Sequence, residues 1–256
     1  MKILVDGSLG AHTAALEEPY NDAASTTGMM LYSEGCLEEL VTEAHKAGLQ
    51  LAIHAIGDRT MNTVLATLEE ALEKLPRENH RHRIEHASVL NQKLIRRMNR
   101  LGVIASVQPH FVVSDFWITD RLGPERARWT YAFKTLIQEG VRTTGGSDCP
   151  VEPISPLLGI YAAAYRQSFP EERITVEQAL EMYTRDAAFA SFEEDDKGSI
   201  ETGKLADLVV LSHDPRNIPP QKIKDIQVMM TLVGGRIVYE NTDIMRETER
   251  GIQPIK

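Results

Sequence analysis

The chain has 256 residues, of which 42% are hydrophobic and 25% are charged, and its formal net charge is -9. This length is enough to bury a large core in one domain, or in one domain with a small appendage. The acidic balance and the lack of a basic tract argue against a nucleic-acid partner. No apolar run approaches the roughly 20 residues that cross a bilayer, so we expect a soluble, cytoplasmic protein without a membrane partner.

Apolar, β-rich runs alternate with amphipathic helical stretches along most of the chain, which is typical of βα units around a parallel sheet. Five runs are predicted as strands, namely KILVD, LQLAIHAI, RHRIEHA, VIASVQP and VRTTGGSD. Asp58, Asn91 and Thr175 are predicted to cap helices, the last together with Gln178 in a capping box. The predicted helices cover residues 35–47, 58–75, 91–101, 131–139, 155–166 and 175–191.

Two segments depart from this alternation. Residues 111–130 contain both tryptophans and are predicted as a long connection of the kind that often forms a lid or binding loop. After Gly198 the sequence becomes β-rich, and a Gly-Gly pair joins two short runs as in a hairpin. We therefore predict an α/β domain over residues 1–197 and a small β appendage with a tail over residues 198–256.

Three predicted strands end in residues of metal-ligand type, His54, His86 and Asp148. The carboxyl ends of parallel strands form one rim, where α/β barrels place their active sites. Because side chains alternate along a strand, Ala52 and His54 are expected on one face, and Ile84 and His86 likewise. Two imidazoles and a carboxylate on one rim are ligands that zinc prefers.

Four further residues are candidates for a role at this rim. The ammonium group of Lys2 cannot bind a cation unless carbon dioxide converts the amine into an anionic carbamate. His110, at a strand end in SVQPHF, could polarise a substrate or be structural, and the sequence leaves both open. Arg166 is expected on a helix surface rather than against an acidic substrate. His12 is expected to be an ordinary loop residue near Lys2.

Taken together, the motifs resemble the amidohydrolase superfamily and, within it, amidohydrolase family 3. The matching stretches run through nearly the whole chain in the family's order: MKILVDGSLGAHTAAL, HAIGDRT, HRHRIEHAS, SVQPHF, GSDCPVEP, ALEMYTRDAA and GSIETGKLADLVVLSHDP. The resemblance implies a metal-dependent (β/α)8 TIM-type barrel followed by strands of a small β-sandwich. The five predicted strands would be barrel strands four to eight.

The resemblance also implies roles for the candidate residues. Lys2 matches the often carboxylated fourth-strand lysine that bridges metals, and His54 and His86 match the fifth- and sixth-strand histidines. Asp148 matches the eighth-strand aspartate, which is both a metal ligand and the catalytic acid and base, and His110 is a candidate for substrate binding. The implied reaction is hydrolysis of non-peptide C–N bonds in N-formyl groups, N-acyl amino acids or cyclic amides. The reaction would require one or two divalent ions, which we expect to be zinc.

Members of the family carry a His-x-His pair on their first barrel strand, and none precedes Lys2 here. His80 and His82 have this spacing, but they lie in the approach to the third predicted strand and cannot replace the pair. We therefore expect a barrel that lacks its first half, associated with that half or with further copies of the chain. Two alternatives stay open: a catalytically silent half-barrel that assembles with a separately encoded first half, and a metal-free barrel enzyme such as a lyase. The GKLADLVVL stretch argues against the lyase.

Overall fold

A five-stranded parallel sheet forms the centre of the protein. The computed structural model describes residues 1–242. Neighbouring strands in the sheet are also neighbours along the chain, and all pair in parallel. They are β1 (Lys2–Leu4), β2 (Ala52–Ala55), β3 (Arg83–His86), β4 (Ile104–Val107) and β5 (Thr143–Gly145). The prediction of five strands in a parallel α/β sheet is therefore confirmed.

The two faces of this sheet have different surroundings. Ile3, Ile53 and Ile84 are almost fully buried and belong to the main hydrophobic core, which also contains apolar side chains of the helices. Along β1 the residues alternate, because Lys2 and Leu4 on the other face are exposed. The helices that connect the strands therefore cover one face. The first three are α1 (Glu34–Lys46), α2 (Asp58–Lys74) and α3 (Gln92–Leu101).

The capping residues of α2 and α3 differ in how well they match the predictions from the sequence. Asn91 caps α3 as predicted, by accepting from the Leu94 N–H, and Gly102 ends the helix in the left-handed conformation. Asp58 does not cap α2. It is the first helical residue after the N-cap Gly57, and its carboxylate accepts from the backbone N–H groups of Glu17 and Arg59 instead.

Residues 111–130 are not the open loop that was predicted. They contain α4 (Phe111–Ser114) and α5 (Ile118–Ala127), separated by a short turn. α5 is irregular because Gly123 has a φ of 70° immediately before Pro124. Its apolar residues Ile118 and Leu122 pack with Leu9, Leu16 and Tyr20 in a second small core, so tertiary packing supplies the helix-forming energy that the local sequence lacks.

The remaining helices follow β4 and β5. They are α6 (Phe133–Gln138), α7 (Pro156–Tyr165), α8 (Val176–Tyr183) and α9 (Arg185–Ala190). The predicted capping box of Thr175 and Gln178 is confirmed at α8. The single helix predicted for residues 175–191 is two helices, because Thr184 leaves helical geometry with φ −127° and ψ −91°.

The last part of the described chain is a three-stranded antiparallel sheet of β6 (Leu208–Leu211), β7 (Val228–Val233) and β8 (Arg236–Glu240). Gly234 and Gly235 have positive φ and form the predicted hairpin turn between β7 and β8. The boundary between residues 197 and 198 stays a prediction, and much of the predicted tail lies outside the described residues. Within residues 1–242, no helix has the length and apolarity needed to cross a membrane.

Candidate metal centre

Side chains from β1, β2 and β3 approach one another on the sheet. The pairing register sets Leu4 opposite His54 and Ala55 opposite His86. The imidazole rings of His54 and His86 are in contact, with their centroids 4.4 Å apart and their planes at 69°. The charge of Lys2 is close enough to affect the ionisation of His86. Two of the four predicted metal ligands, His54 and His86, are thus in contact, and the charge of Lys2 acts on His86.

Hydrogen bonds define which nitrogen of His54 is free. Its Nε2 lies 3.0 Å from the Gly7 carbonyl oxygen and 3.3 Å from Asp6 Oδ1. Both partners are acceptors, so neutral His54 carries its proton on Nε2 and keeps the lone pair on Nδ1. A metal ion held by this residue would therefore be bound through Nδ1.

Asp6 is the buried centre of this region, and sequence reasoning assigned it no role. It is only 1% exposed. Besides contacting His54, its carboxylate accepts from the N–H groups of Ala15, Ile56 and Gly57 and from the Thr60 hydroxyl, at 2.8 to 3.1 Å. It thus joins the loop after β1, the end of β2 and the start of α2. An aspartate directly after an apolar strand, in LVDG, was the signal that could have revealed it.

His86 has an unusual backbone and an unsatisfied ring nitrogen. Its φ is 74° and that of Ala87 is 44°, which breaks the regular alternation of the strand. The expectation that His86 shares a face with Ile84 is wrong, since Ile84 is buried in the core while the His86 ring contacts His54. Nδ1 of His86 is buried with no hydrogen-bond partner.

The electrostatic surroundings of His86 favour a neutral ring. Burial, followed by the charges of His54 and Lys2, lowers the pKa of His86 to about 4. A neutral imidazole with an unpaired buried nitrogen has a lone pair for a cation, which is the state that metal binding requires. His54 and His86 therefore suit a borderline ion such as zinc as two of its ligands.

Asp148 lies apart from this pair. It follows the end of β5, is exposed, and has a φ of 55°. Among residues 1–242, no cluster of three or more His, Cys, Asp or Glu side chains is arranged to hold a metal ion. The donor set that the described residues bring together is accordingly two imidazoles with Lys2 beside them. Carboxylation of Lys2 would add the anionic ligand that the cluster lacks.

His110 lies close to the same rim and has a carboxylate partner. Its Nδ1 is 2.5 Å from Oε2 of Glu152, a largely buried residue four positions beyond Asp148. The next residue, Phe111, stacks parallel to the His86 ring with centroids 6.4 Å apart. Glu152 thus connects His110 with the loop that carries Asp148. Sequence reasoning did not identify Glu152.

A second carboxylate lies near this dyad. Tyr131 donates its hydroxyl proton to Asp115. Burial raises the pKa of the Asp115 carboxyl, and the charge of Glu152 contributes in the same direction. Asp115 and Glu152 thus place two carboxyl groups in the region around His110.

The other two candidates, His12 and Arg166, lie outside the metal-ligand group. His12 is paired with Asp22 at 3.0 Å. Arg166 is not on a helix surface as expected: it follows the end of α7 and is only 2% exposed. Its guanidinium donates to two backbone carbonyls, which explains why it turns inward.

His80 and His82 form a buried chain with His45 at the amino ends of the strands. The Leu51 N–H donates to His82 Nδ1, so neutral His82 donates from Nε2 to His45 Nδ1, 2.9 Å away. His45 in turn donates from Nε2 to the Leu75 carbonyl at 2.7 Å. The His-x-His spacing here serves internal hydrogen bonding.

Comparisons with known proteins agree on one family. The model of the amidohydrolase family matches residues 1–239. A putative amidohydrolase, YtcJ of Bacillus subtilis, is 42% identical over 253 residues, covering 94% of this chain and 47% of the relative. An N-substituted formamide deformylase of Arthrobacter pascens is 29% identical over 256 residues, covering 94% of this chain and 46% of the relative.

A solved structure extends this likeness to three dimensions. An uncharacterized metal-dependent hydrolase from Pyrococcus furiosus superimposes with a TM-score of 0.77 at 40% identity, covering 85% of this chain and 45% of the other. The chain therefore spans about half the length of the relatives that it matches.

Proposed function

Because the chain belongs to the amidohydrolase family, we propose that it serves the metal-dependent hydrolysis of non-peptide C–N bonds, in N-formyl, N-acyl or other amide groups. The contact between His54 and His86, with a buried unpartnered nitrogen on His86, is the observation that carries this proposal. The names of two relatives, an amidohydrolase and a formamide deformylase, support the same bond type.

The proposed architecture is strands four to eight of a (β/α)8 barrel over residues 1–197, with sandwich strands from residue 198. The order β1 to β5 supports it, since each end strand has one neighbour in the described sheet. The exposed face of β1, formed by Lys2 and Leu4, supports it as well, since that face would line the barrel interior. A cytoplasmic setting stays a prediction of the sequence.

In the proposed site, His54 through Nδ1, His86, carboxylated Lys2 and Asp148 would hold one or two divalent ions, with zinc the expected metal. Bound there, the metal would supply Lewis-acid polarisation of the scissile carbonyl and make a water molecule more acidic. Asp148 takes a proton from the attacking water at its carboxylate and returns it to the leaving nitrogen. His110, held through Nδ1 by Glu152, would contact the substrate through its Nε2.

Elemental analysis of the purified chain tests the metal assignment. We expect His54→Ala and His86→Ala each to lose most of the bound zinc, because an open site has few ligands to spare. His213→Ala, which changes an exposed histidine in the second sheet region, is the matched control and should keep the metal. Undiminished zinc in the His86 variant would contradict the assignment.

Turnover tests the proposed role of Asp148. In an active preparation, Asp148→Asn should lower the hydrolysis of N-formyl or N-acyl substrates by about 10²–10⁴, the range attributed to general acid–base catalysis. Folding should be retained, since the side chain is exposed. Near-normal turnover would leave Asp148 without the proton-transfer role.

A silent half-barrel is the second candidate, favoured by the single neighbour of β1 in the sheet. It predicts that the chain alone shows no turnover with any tested amide, even when zinc is bound. It also predicts that activity appears on co-expression with a segment that carries a His-x-His strand. Robust turnover by the chain alone would exclude this candidate.

A further inference from the structure

Arg166 is a buried cation held in a fixed orientation. It is 2% exposed. Its Nε donates to the Ser168 carbonyl at 2.6 Å and its Nη1 to the Tyr131 carbonyl at 2.5 Å. A guanidinium has five N–H groups, so three remain after these two bonds. The two fixed bonds orient the remaining donors before any ligand arrives.

The charge of Arg166 has no ionic partner among the described residues. Glu172, which lies nearby, directs its carboxylate to the backbone N–H and hydroxyl of Thr135. Arg81, the other buried arginine of the described chain, forms a two-pronged pair with Glu194. The carboxylates of Glu172 and Glu171 act on the charge of Arg166 from a distance, so an anion on its free N–H groups would add the direct ion pair that it lacks.

A cavity of about 300 Å³ lies against Arg166. Its walls are mainly apolar and aromatic, with Val112, Val113 and Phe116 on one side and Tyr161 and Tyr165 on the other. The Phe116 side chain is 84% exposed, an unusual state for a large apolar group beside a cavity. The space thus combines one cation with surfaces that suit an apolar ring.

Two further cations lie near tyrosines that line this cavity. The Arg173 guanidinium lies 5.5 Å from the centre of the Tyr165 ring, and the Lys224 ammonium lies 5.5 Å from the centre of the Tyr161 ring. Both tyrosines that line the space are therefore flanked by cations. Arg166 is the one cation that lines the cavity itself among the described residues, so it is the group that would bind an anionic ligand.

We propose that this cavity binds a small aryl carboxylate, with the carboxylate on the free N–H groups of Arg166 and the ring against Phe116 and the two tyrosines. A planar carboxylate matches the planar fork of the guanidinium, which is why arginine pairs with it in two-pronged geometry. None of the residues that line the cavity is a candidate metal ligand, and the binding of a free aryl carboxylate would not depend on the metal-dependent reaction.

The carboxylate could belong to a free ligand or to a substrate of the proposed class. Calorimetric titration of the full chain with phenylacetate and, separately, with N-formylphenylalanine distinguishes the two sources. Binding of phenylacetate identifies a site for free aryl carboxylates, whereas binding of N-formylphenylalanine alone identifies a site for the carboxylate of a substrate. The neutral isostere phenylacetamide should bind at least about tenfold more weakly than the tighter of the two acids.

Two variants locate the ligand, and one controls for charge. Arg166→Met removes the cation, and Val113→Trp fills the cavity while keeping the cation, so each should weaken binding of the tighter acid about tenfold or more. Arg128→Met changes an exposed arginine after α5 and should bind as the unmodified chain does. If circular dichroism shows that Arg166→Met does not fold, the affinity of the Val113→Trp variant tests the proposal instead.

Three results would overturn the proposal: no binding of either acid, equal binding of phenylacetamide, or unchanged affinity in a folded Arg166 or Val113 variant. Inorganic phosphate provides a further check. If it binds as tightly as the aryl acids, the site recognises anions in general and the proposed aryl carboxylate specificity is wrong.

Discussion

At the residue scale, the candidate metal centre depends on a buried carboxylate that contacts no proposed substrate. Asp6 accepts hydrogen bonds from three backbone N–H groups and one hydroxyl, and it also contacts His54. These bonds fix the imidazole through one nitrogen and leave the other free. Asp6 is therefore a positioning residue for a ligand, a role that carboxylates often have in metal sites.

Asp6→Asn should destabilise the protein strongly. The amide NH2 would face groups that are themselves donors, so at least one buried N–H or hydroxyl loses its acceptor. We expect the free energy of unfolding to fall by about 3 kcal/mol or more, measured by urea denaturation. Asp120→Asn, an exposed aspartate in α5, is the control and should change little. A loss in the Asp6 variant no larger than in the control would contradict this role.

At the element scale, the strands and most helices follow from local patterns, while their exact ends depend on caps. Asn91 shows how a single side chain determines where α3 begins, because its oxygen accepts the otherwise free N–H of Leu94 at 3.0 Å. Thr184 shows the opposite case, since the apolar pattern continues through residue 184 while the backbone leaves the helix.

Asn91→Ala should lower the free energy of unfolding by about 1 kcal/mol, because α3 loses its N-cap. Thermal unfolding followed by circular dichroism measures the change. Lys93→Ala, an exposed substitution in the first turn of the same helix, serves as the control for altered composition. If both variants unfold at the same temperature as the unmodified chain, the cap contributes no measurable stability.

The buried histidine chain predicts how stability depends on pH. Burial lowers the pKa of His82 to about 2 and also lowers that of His80. His45 and Arg77 face His82, and the charge of the terminal amine acts in the same direction. Each buried ring is therefore neutral under conditions where an unfolded histidine, with a pKa of about 6.5, begins to bind a proton.

The sign follows from this difference. Below about pH 6.5 the unfolded chain binds more protons than the folded chain. The contribution of these histidines to the free energy of unfolding is therefore fully present above that pH, and the free energy of unfolding falls as the pH decreases. Each such histidine contributes up to about 1.4 kcal/mol per pH unit. In urea titrations from pH 7 to pH 4.5, His82→Asn should be less stable at pH 7 and should show a shallower decline. His213→Asn should keep the original slope, and equal slopes in all three proteins would contradict the prediction.

At the scale of the whole molecule, the parallel sheet has two open edges within the described residues. β1 pairs only with β2, and β5 only with β4. An edge strand exposes unpaired N–H and C=O groups that can pair with another chain, and Leu4 adds an exposed apolar side chain at the β1 edge. The second sheet also has exposed apolar residues, among them Val209, Ile237 and Val238.

We therefore predict that the isolated 256-residue chain associates with itself. Size-exclusion chromatography with light scattering should give a mass above that of one chain, 28.6 kDa. Adding charge at the β1 edge, as in Leu4→Lys, should shift the population toward the monomer, whereas Leu75→Lys, at an exposed leucine after α2, should not. A stable monomer at all concentrations would contradict the prediction.

The sequence by itself determined the parallel α/β sheet, the helix caps at Asn91 and Thr175, the glycine hairpin and the candidate ligands at the strand ends. These features depend on residues that are close along the chain, such as the alternation of apolar residues or a cap three residues from its partner. Only the tertiary structure decided that His86 contacts His54, that Asp6 holds His54, that Glu152 pairs with His110 and that Arg166 is buried. Each of these contacts joins distant residues or depends on a left-handed backbone that no local pattern encodes, so it becomes visible only when the strands and loops are packed together.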